Sequence, residues 1–257
     1  MELHFVKYQG TGNDFVMIDD RAHEFDASNH QLITKLCHRR FGVGADGLIL
    51  LRNRKGYDFE MVYFNADGHL GSMCGNGGRC TVHFAHSLGV FDKKTTFLAA
   101  DGDHEASVAE GIVHLKMNDV SRVDKGDGYV FMDTGSPHYV APVQNLKAFP
   151  VFEKGKEVRH SFMDGGTNVN FTEQKGDVLH VRTFERGVED ETLSCGTGVT
   201  ASVIAANLNG TPEPVKVKVL GGELAVNFDK VGDLYTNIYL IGPAKAVFAG
   251  TFDLNNF

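Results

Sequence analysis

The chain has 257 residues, 42% apolar and 23% charged, a balance typical of a globular protein with one large or two small domains. The net charge is −8, with no basic cluster larger than Arg39-Arg40 or Lys93-Lys94, which argues against nucleic acid and anionic membranes as partners. No apolar run could span a bilayer, the N-terminus lacks a signal-peptide layout, and four cysteines are too few for a disulfide scaffold. We therefore expect a cytoplasmic protein with free thiols.

The first half of the chain predicts strands and two helices. Alternating apolar residues predict strands at 3–8, 14–19, 47–52, 58–64, 95–100, 104–109 and 111–117. Ser28 and Gln31 form a capping box that predicts the start of a helix, with Gly42 at its end. Cys37 falls on the apolar side of this helix, so we expect a buried, inert thiol.

The second half predicts a similar order of elements. A short helix is expected after Pro150, because proline suits the first helical turn. The change of unit is expected near Asn118-Asp119. Strands are predicted at 128–133, 137–141, 167–171, 178–184, 215–219, 223–228, 234–240 and 245–249.

The pattern Cys-Gly-x-Gly occurs twice, at Cys74 and Cys195, 121 residues apart. Each copy is followed by an apolar, helix-like run that ends at a glycine fifteen residues on, Gly89 and Gly210 respectively. A repeat at nearly half the chain length predicts two similar halves, each with one long buried helix against a sheet.

A cysteine at the start of a helix has a specific chemical use. The first helical turn carries unpaired N–H groups and a partial positive charge, which make a thiol easier to ionise and attract a carboxylate. Two such cysteines on opposite sides of one ligand could remove a proton from one face of a carbon and return one to the other. The repeat therefore favours a racemase or an epimerase.

Other interpretations of these motifs are weaker. Cys80, His83 and His86 have helical spacing but lack an assigned fourth zinc ligand. A phosphate-binding loop would need a following Lys-Ser/Thr, and a thiol-redox protein would need Cys-x-x-Cys. Cys74 alone would be interpreted as structural, and its recurrence as Cys195 shifts the interpretation to function.

The chain resembles the diaminopimelate epimerase family along nearly its whole length. The Cys-Gly-Asn-Gly block, combined with Glu-Arg-Gly before Cys-Gly-Thr-Gly, is a specific combination. The matching segments are 7–15 (Lys-Tyr-Gln-Gly-Thr-Gly-Asn-Asp-Phe), 42–47, 64–68, 73–80, 135–138 (Gly-Ser-Pro-His), 168–171, 184–187 (Phe-Glu-Arg-Gly) and 194–198.

This resemblance implies an α+β fold of two pseudo-symmetric halves, each a curved, mostly antiparallel sheet wrapped around a central helix, with the active site in the cleft between them. The halves would be 1–117 and 118–247, with the tail 248–257 returning to the first half. The implied activity is cofactor-independent and metal-independent interconversion of LL- and meso-2,6-diaminopimelate, in lysine and peptidoglycan precursor biosynthesis, by a cytoplasmic homodimer.

The resemblance also implies roles for individual residues. Cys74 and Cys195 would be the acid/base pair, and His138 and Glu185 would tune their pKa values. The reacting carboxylate would be held by Gly75, Asn76, Gly196 and Thr197, and the remaining amino and carboxylate groups by Asn13, Asn65, Asn168, Glu185 and Arg186. From the residues alone, Asn13 and Asn65 are better explained as turn residues, and a surface ion pair is an alternative for Glu185-Arg186. Arginine is nevertheless the natural clamp for a carboxylate.

The sequence departs from the family pattern in several places. Ser136 stands where asparagine is usual and Gly47 where glutamine is frequent, so distal side-chain contacts are expected to be lost or bridged by water. The segment 187–195 is one residue longer, and Phe248 replaces a tyrosine associated with dimer contacts. Two alternatives stay open: a proline or hydroxyproline racemase-like enzyme, and a non-catalytic amino-acid-binding protein.

Overall fold

A computed structural model describes residues 2–210 and 213–254 of the chain. The chain divides into two compact units, Met1–Leu115 with Pro243–Phe257, and Lys116–Gly242. Of the tail 248–257, the structure describes the part up to residue 254, and residues 255–257 lie outside it. Within the described ranges, no helix has the length and apolar character needed to cross a membrane.

The first unit is a sheet in which two of the connections between strands are helices. Its strands are β1 (Glu2–Gly10), β2 (Asn13–Asp19), β3 (Gly47–Arg52), β4 (Phe59–Asn65), β5 (Lys94–Ala99), β6 (Gly102–Ala109) and β7 (Ile112–Lys116). Helix α1 (His30–Cys37) joins β2 to β3, and helix α2 (Gly75–Ser87) joins β4 to β5.

The second unit repeats this plan. Its strands are β8 (Val123–Gly126), β9 (Tyr129–Asp133), β10 (Pro137–Pro142), β11 (Asn168–Lys175), β12 (Val178–Glu185), β13 (Asp190–Thr192), β14 (Val215–Val219), β15 (Gly222–Val231) and β16 (Leu234–Pro243). A 3₁₀ turn (Leu146–Ala148) and helix α3 (Val151–Ser161) join β10 to β11, and helix α4 (Gly196–Ala206) lies between β13 and β14. The last strand, β17 (Lys245–Asp253), belongs to the first unit and pairs with β1.

Strand orientation makes the repeat explicit. In the first unit the order β17-β1-β2-β3-β4-β5-β6-β7 has pairings that run antiparallel, antiparallel, parallel, antiparallel, parallel, antiparallel, antiparallel. The order β8-β9-β10-β11-β12-β14-β15-β16 in the second unit has the same succession. The predicted α+β fold with two repeated halves is confirmed.

The central helix of each unit, α2 or α4, packs against strands of its own unit. Helix α1 packs on a core that includes Ile33, Leu36, Leu48, Leu50 and Phe64. Helix α2 is buried along most of its length and packs against β1, β2, β3, β4, β6 and β17. Helix α4 is likewise buried and packs against β9, β10, β11, β12, β14 and β15, as expected for a helix that is apolar all round.

The structure corrects two local predictions. The N-cap of α1 is Asn29, whose Oδ1 accepts a hydrogen bond from Leu32 N at 3.0 Å, whereas Ser28 donates its hydroxyl to Asp26 at 2.6 Å. The helix ends at Cys37, five residues before Gly42, because the Leu36 carbonyl is used by the turn that follows. The short strands β8 and β13 were not predicted, since four and three mostly polar residues carry no period-two signal.

Candidate active site

Cys74 and Cys195 occupy the same position in the two units. Each has an extended backbone (φ −117°, ψ 144° and φ −116°, ψ 111°) and is the N-cap of the central helix, α2 or α4. The N–H groups of each first turn therefore lie directly beside a thiol. Cys195 is buried and Cys74 is half-buried.

The other two cysteines are in different surroundings. Cys37 and Cys80 are 2% and 0% exposed, and burial raises the pKa of Cys37 to about 12 and also raises the pKa of Cys80. Both thiols therefore stay protonated. Among residues 2–210 and 213–254, no three His, Cys, Asp or Glu side chains come close enough together to hold a metal ion.

The Cys74 thiol lies in a network of backbone and amide groups. Its Sγ accepts a hydrogen bond from Gly77 N at 3.2 Å and lies 3.9 Å from Asn13 Oδ1. The same Asn13 oxygen accepts from Asn76 Nδ2 at 3.3 Å, and Asn13 Nδ2 donates to Asp46 Oδ2 at 2.6 Å. The Asp46 carboxylate therefore fixes the Asn13 amide with its oxygen toward Cys74.

Asn65 ends β4, paired with Gly47 of β3, and its side chain is exposed. The Tyr63 ring, on the same face of β4, covers Gly47: a Cβ there would lie 2.5 Å from Tyr63 Cε2 and 2.4 Å from the Phe64 carbonyl oxygen. The glutamine that the family often has at this position would not fit this backbone and ring. The structure thus gives a reason for Gly47 besides the loss of a distal contact.

The Cys195 thiol lies in a network of hydroxyl and imidazole groups. Cys195 Sγ lies 3.5 Å from Thr197 Oγ1, which is 2.9 Å from His138 Nε2. The Thr197 carbonyl accepts from Thr134 Oγ1 at 2.9 Å, which holds this residue in place. Ser136 Oγ lies 3.0 Å from His138 Nε2 and 3.3 Å from Thr197 Oγ1, so the serine that departs from the family pattern belongs to this cluster.

His138 is a neutral imidazole of one tautomer. Asn170 Nδ2 donates to the Tyr139 carbonyl at 3.1 Å and to His138 Nδ1 at 3.0 Å, so Nδ1 accepts and the ring proton is on Nε2. Complete burial, together with the Arg186 charge, lowers the pKa of His138 to about 3. His138 can thus donate to the Thr197 hydroxyl, and that hydroxyl can donate to Cys195 Sγ.

Three further predicted residues lie at the ends of β11 and β12. Asn168 donates through Nδ2 to Ser136 Oγ at 3.2 Å, and its Oδ1 accepts from Arg186 N at 2.8 Å. Glu185 Oε2 accepts from Thr192 Oγ1 at 2.9 Å. The exposed Arg186 guanidinium donates to the Gly166 carbonyl at 3.5 Å, and its cationic nitrogens form no ion pair within the described part of the chain.

The predicted site residues therefore form two groups, one in each unit. The first group contains Cys74, Gly75, Asn76 and Asn13, with Asn65 on the neighbouring strand end. The second contains Cys195, Gly196, Thr197, His138, Asn168, Glu185 and Arg186. Sequence reasoning missed Asp46 and Asn170, although each lies within two residues of a position that was used, Gly47 and Asn168. Ser136 was named as a departure from the family pattern, but its contacts with His138 and Thr197 were not predicted.

Comparison with known proteins identifies the family of this chain. The profile of the family described as "Diaminopimelate epimerase" matches residues 5–125 and 130–247. A diaminopimelate epimerase of Flavobacterium psychrophilum is 51% identical over 255 residues, covering 97% of this chain and 100% of the relative. One from Chlorobaculum tepidum is 45% identical over 260 residues, covering 95% and 99%.

Solved structures with the same fold are more distant in sequence. A phenazine biosynthesis protein of the PhzF family from Bacillus anthracis has a TM-score of 0.77 at 15% identity and covers 99% of this chain and 100% of that one. A hydroxyproline epimerase from Agrobacterium vitis, with bound trans-4-hydroxy-L-proline, has a TM-score of 0.71 at 13% identity, with 98% and 93% coverage. These structures support the fold, and the sequence matches identify the family. The chain belongs to the diaminopimelate epimerase family and is an isomerase.

Proposed function

We propose that Cys74 and Cys195 are the acid/base pair with which this chain interconverts LL- and meso-2,6-diaminopimelate. The observation that carries the proposal is the recurrence of the same N-cap cysteine at equivalent positions of two repeated units. A duplicated fold needs only one buried helix per unit, and packing alone gives no reason for a cysteine at both helix starts. The proposal requires that both units contribute to one substrate site.

The reaction is a proton transfer with no net redox change. One cysteine, as thiolate, takes the α-proton, so an S–H bond forms, the C–H bond breaks, and its electron pair is delocalised into the α-carboxylate. The other cysteine, as thiol, delivers a proton to the opposite face, so a C–H bond forms and a thiolate remains. The negative charge that develops on the carboxylate would be stabilised by N–H groups of Gly75, Asn76, Gly196 and Thr197.

The distal amino and carboxylate groups of the substrate call for different partners. Arg186 is exposed and forms no ion pair with the described residues, which suits a clamp for the distal carboxylate. The amide oxygens of Asn65 and Asn168, and the Glu185 carboxylate, are acceptors for an ammonium group. Asn13, whose oxygen is directed toward Cys74, is proposed to contact the amino group at the reacting carbon.

The proposal is tested by replacing each cysteine singly. Cys74→Ala and Cys195→Ala should each remove epimerase activity while the circular dichroism spectrum and thermal transition stay close to those of the parent. Cys37→Ala is the matched control, because this buried thiol belongs to the α1 core, and it should remain active. Full activity in either single variant at 74 or 195 would exclude a two-thiol mechanism.

Substrate assays separate the two alternatives. A proline or hydroxyproline racemase-like enzyme would turn over those imino acids and would not need Arg186. A non-catalytic amino-acid-binding protein would bind diaminopimelate without exchange of its α-proton. We expect turnover of diaminopimelate only.

We also propose that the chain forms a homodimer and works in the cytoplasm, in lysine and peptidoglycan precursor biosynthesis. Strand β17 exposes Val247 and Phe248, which are 57% and 49% exposed, and an apolar strand of this kind supports self-association. Free cysteines fit a reducing compartment. Sedimentation of the wild type at twice the monomer mass, and of Phe248→Lys at the monomer mass, would agree with the dimer; a monomeric wild type would exclude it.

A further inference from the structure

Asn170 is a fully buried residue of strand β11, and its amide faces three polar groups. Its Nδ2 donates to the Tyr139 carbonyl at 3.1 Å and lies 3.0 Å from His138 Nδ1. Its Oδ1 accepts from Thr183 Oγ1 at 2.9 Å. A backbone carbonyl can only accept a hydrogen bond, so the NH₂ group must face Tyr139. The orientation of the amide is therefore fixed by the backbone, independently of the histidine.

The first unit has apolar residues at the equivalent positions. By the register of the parallel pairings β2-β3 and β10-β11, Phe15 is equivalent to His138 and Ile49 is equivalent to Asn170. Ile49 and Asn170 also contact the equivalent glycine of the two helix starts, since a Cβ there would lie 3.3 Å from Ile49 Cδ1 and 2.3 Å from Asn170 Oδ1. All four side chains are fully buried. Apolar packing fills these positions in one unit, so packing does not explain the polar pair in the other.

The fixed amide decides which ring nitrogen of His138 carries the proton. Because Asn170 presents its NH₂ group to Nδ1, that nitrogen accepts and the proton is on Nε2. Nε2 lies 2.9 Å from Thr197 Oγ1 and donates to it. With the opposite tautomer, Nε2 would instead accept the hydrogen of the Thr197 hydroxyl. The tautomer of the ring therefore determines whether this hydroxyl hydrogen is available to another acceptor.

The Thr197 hydroxyl is the link between the imidazole and the thiol. Its oxygen lies 3.5 Å from Cys195 Sγ and 3.3 Å from Ser136 Oγ. Ser136 Oγ already accepts from Asn168 Nδ2 at 3.2 Å and lies 3.0 Å from the protonated Nε2, which leaves its own hydrogen for Thr197 Oγ1. The Thr197 hydrogen is then directed to Cys195 Sγ. A hydrogen bond donated to the sulfur favours the thiolate over the thiol.

We propose that Asn170 is a positioning residue for Cys195: by fixing the tautomer of His138, it directs the Thr197 hydroxyl hydrogen to the Cys195 sulfur. The consequence for turnover rests on the two-cysteine function, whereas the hydrogen-bond chain does not. The titratable side chains at the same ends of β9, β10 and β12 remain in place in every variant below: Asp133, Tyr139, Glu185 and the neighbouring Arg186.

The first test reads the tautomer from the ring ¹⁵N NMR shifts of His138, assigned with His138→Gln. The wild type should show an unprotonated Nδ1 and a protonated Nε2. Asn170→Asp keeps the shape of the side chain but presents an ionised carboxylate, which can only accept, so Nδ1 should become protonated. Gln174→Glu adds the same charge at the exposed end of β11 and should leave the ring unchanged. A protonated Nδ1 in the wild type, or an unprotonated Nδ1 in Asn170→Asp, would overturn the proposal.

The second test follows the ¹³Cβ resonance of Cys195 against pH in a cysteine-labelled Cys74→Ala background. Thr197→Val, which removes the hydroxyl, should raise the apparent pKa of Cys195 by about one unit, whereas Thr197→Ser should stay close to the parent. Asn170→Asp should give a similar increase. The double variant Asn170→Asp/Thr197→Val should show no further increase, because both changes act through the same hydrogen. Cys37, whose pKa is raised to about 12, is the internal reference.

Additive increases in the double variant would mean that the new carboxylate acts on the thiol through space, and they would overturn the role of Asn170. An unchanged pKa in Thr197→Val would overturn the last step of the chain. If Asn170→Asp does not fold, the wild-type ring spectrum and the two Thr197 variants still test both ends of the chain. Activity of Cys195→Ala would instead contradict the two-cysteine function and leave the NMR results intact.

Discussion

Helices α2 and α4 start with the same backbone geometry, but the charge on the buried side chains of their first turns differs. In both, an N-cap cysteine with an extended backbone precedes Gly-x-Gly. The carbonyl of the first glycine accepts a hydrogen bond from a side chain in the next turn, Arg79 in α2 and Thr200 in α4. Around Cys74 the positive charge is buried in Arg79 beneath the first turn. Around Cys195 the first turn is neutral, and the nearby cation, Arg186, is exposed.

The comparison shows how a duplicated fold can place two cysteines in different surroundings. Both copies keep glycine at the positions where the first helical turn leaves little room for a Cβ atom. The residue five positions after each cysteine differs in charge, because it is Arg79 in the first unit and Thr200 in the second. The proposed acid/base pair needs one group with the proton and one without.

The largest effect is expected at the exposed cation of the second unit. Arg186→Met should reduce kcat/KM for diaminopimelate about 100-fold, mainly through KM, because a charge-assisted pair with the distal carboxylate is lost. Arg122→Met is the control, since Arg122 is an exposed arginine of the same unit that pairs with Asp124. Steady-state kinetics on both variants decide the point. Unchanged kcat/KM in Arg186→Met would remove this residue from the site.

The next effect concerns the neutral histidine beside Cys195. The folded-state pKa of His138 is about 3, against about 6.5 when unfolded, so below pH 6.5 the unfolded chain binds a proton that the folded chain does not. Stability therefore falls on acidification, by about 2 kcal/mol at pH 5 from this group. His138→Gln lacks this contribution, so its difference from the wild type in urea unfolding should shrink from pH 7 to pH 5. A difference that does not change with pH would mean that His138 is accessible to protons in the folded state.

A smaller difference in stability is expected when the equivalent glycines at the two helix starts are replaced by alanine. A Cβ at Gly198 would lie 2.3 Å from Asn170 Oδ1, an amide held by His138, Tyr139 and Thr183, whereas at Gly77 the nearest atom is Cys74 Sγ at 3.1 Å. Gly198→Ala should lower stability by about 1–2 kcal/mol more than Gly77→Ala, as measured by chemical denaturation.

Asn170→Ala in the Gly198→Ala background removes the amide that the new methyl group would meet, and this double variant serves as the control. The two substitutions together should cost less than the sum of the single ones. Simple additivity would show that the methyl group meets something other than Asn170.

The sequence predicted the fold better than it predicted the surroundings of the cysteines. The repeat of Cys74 as Cys195 and the alternating strands led to two α+β halves because these signals are periodic and local. Strand β17 follows the second unit in the sequence but pairs with β1 of the first unit. This pairing is long-range, and no local pattern in the sequence indicates it. Spacing in the sequence gave no sign of Asn170 beside His138, because parallel pairing of β10 with β11 brings them together.

The burial of charged side chains was the other feature that the sequence did not predict. Arg79 stands in the motif after Cys74, and nothing in its spacing distinguishes a buried cation from an exposed one. The structure shows that Arg79 is fully buried and that it forms no ion pair with a carboxylate among the described residues. Gly47 was interpreted as a lost contact, and the structure adds that the Tyr63 ring occupies its space.

The most direct test of two thiols acting on one α-carbon is the fate of solvent deuterium at low conversion. In heavy water, LL-diaminopimelate is turned over by the wild type, and both the product and the remaining substrate are analysed by mass spectrometry. Because the accepting thiolate and the donating thiol are different groups, the meso product should carry one deuterium at the inverted carbon while the recovered substrate keeps its protium. Product that retains the substrate's own α-hydrogen would contradict the two-thiol account.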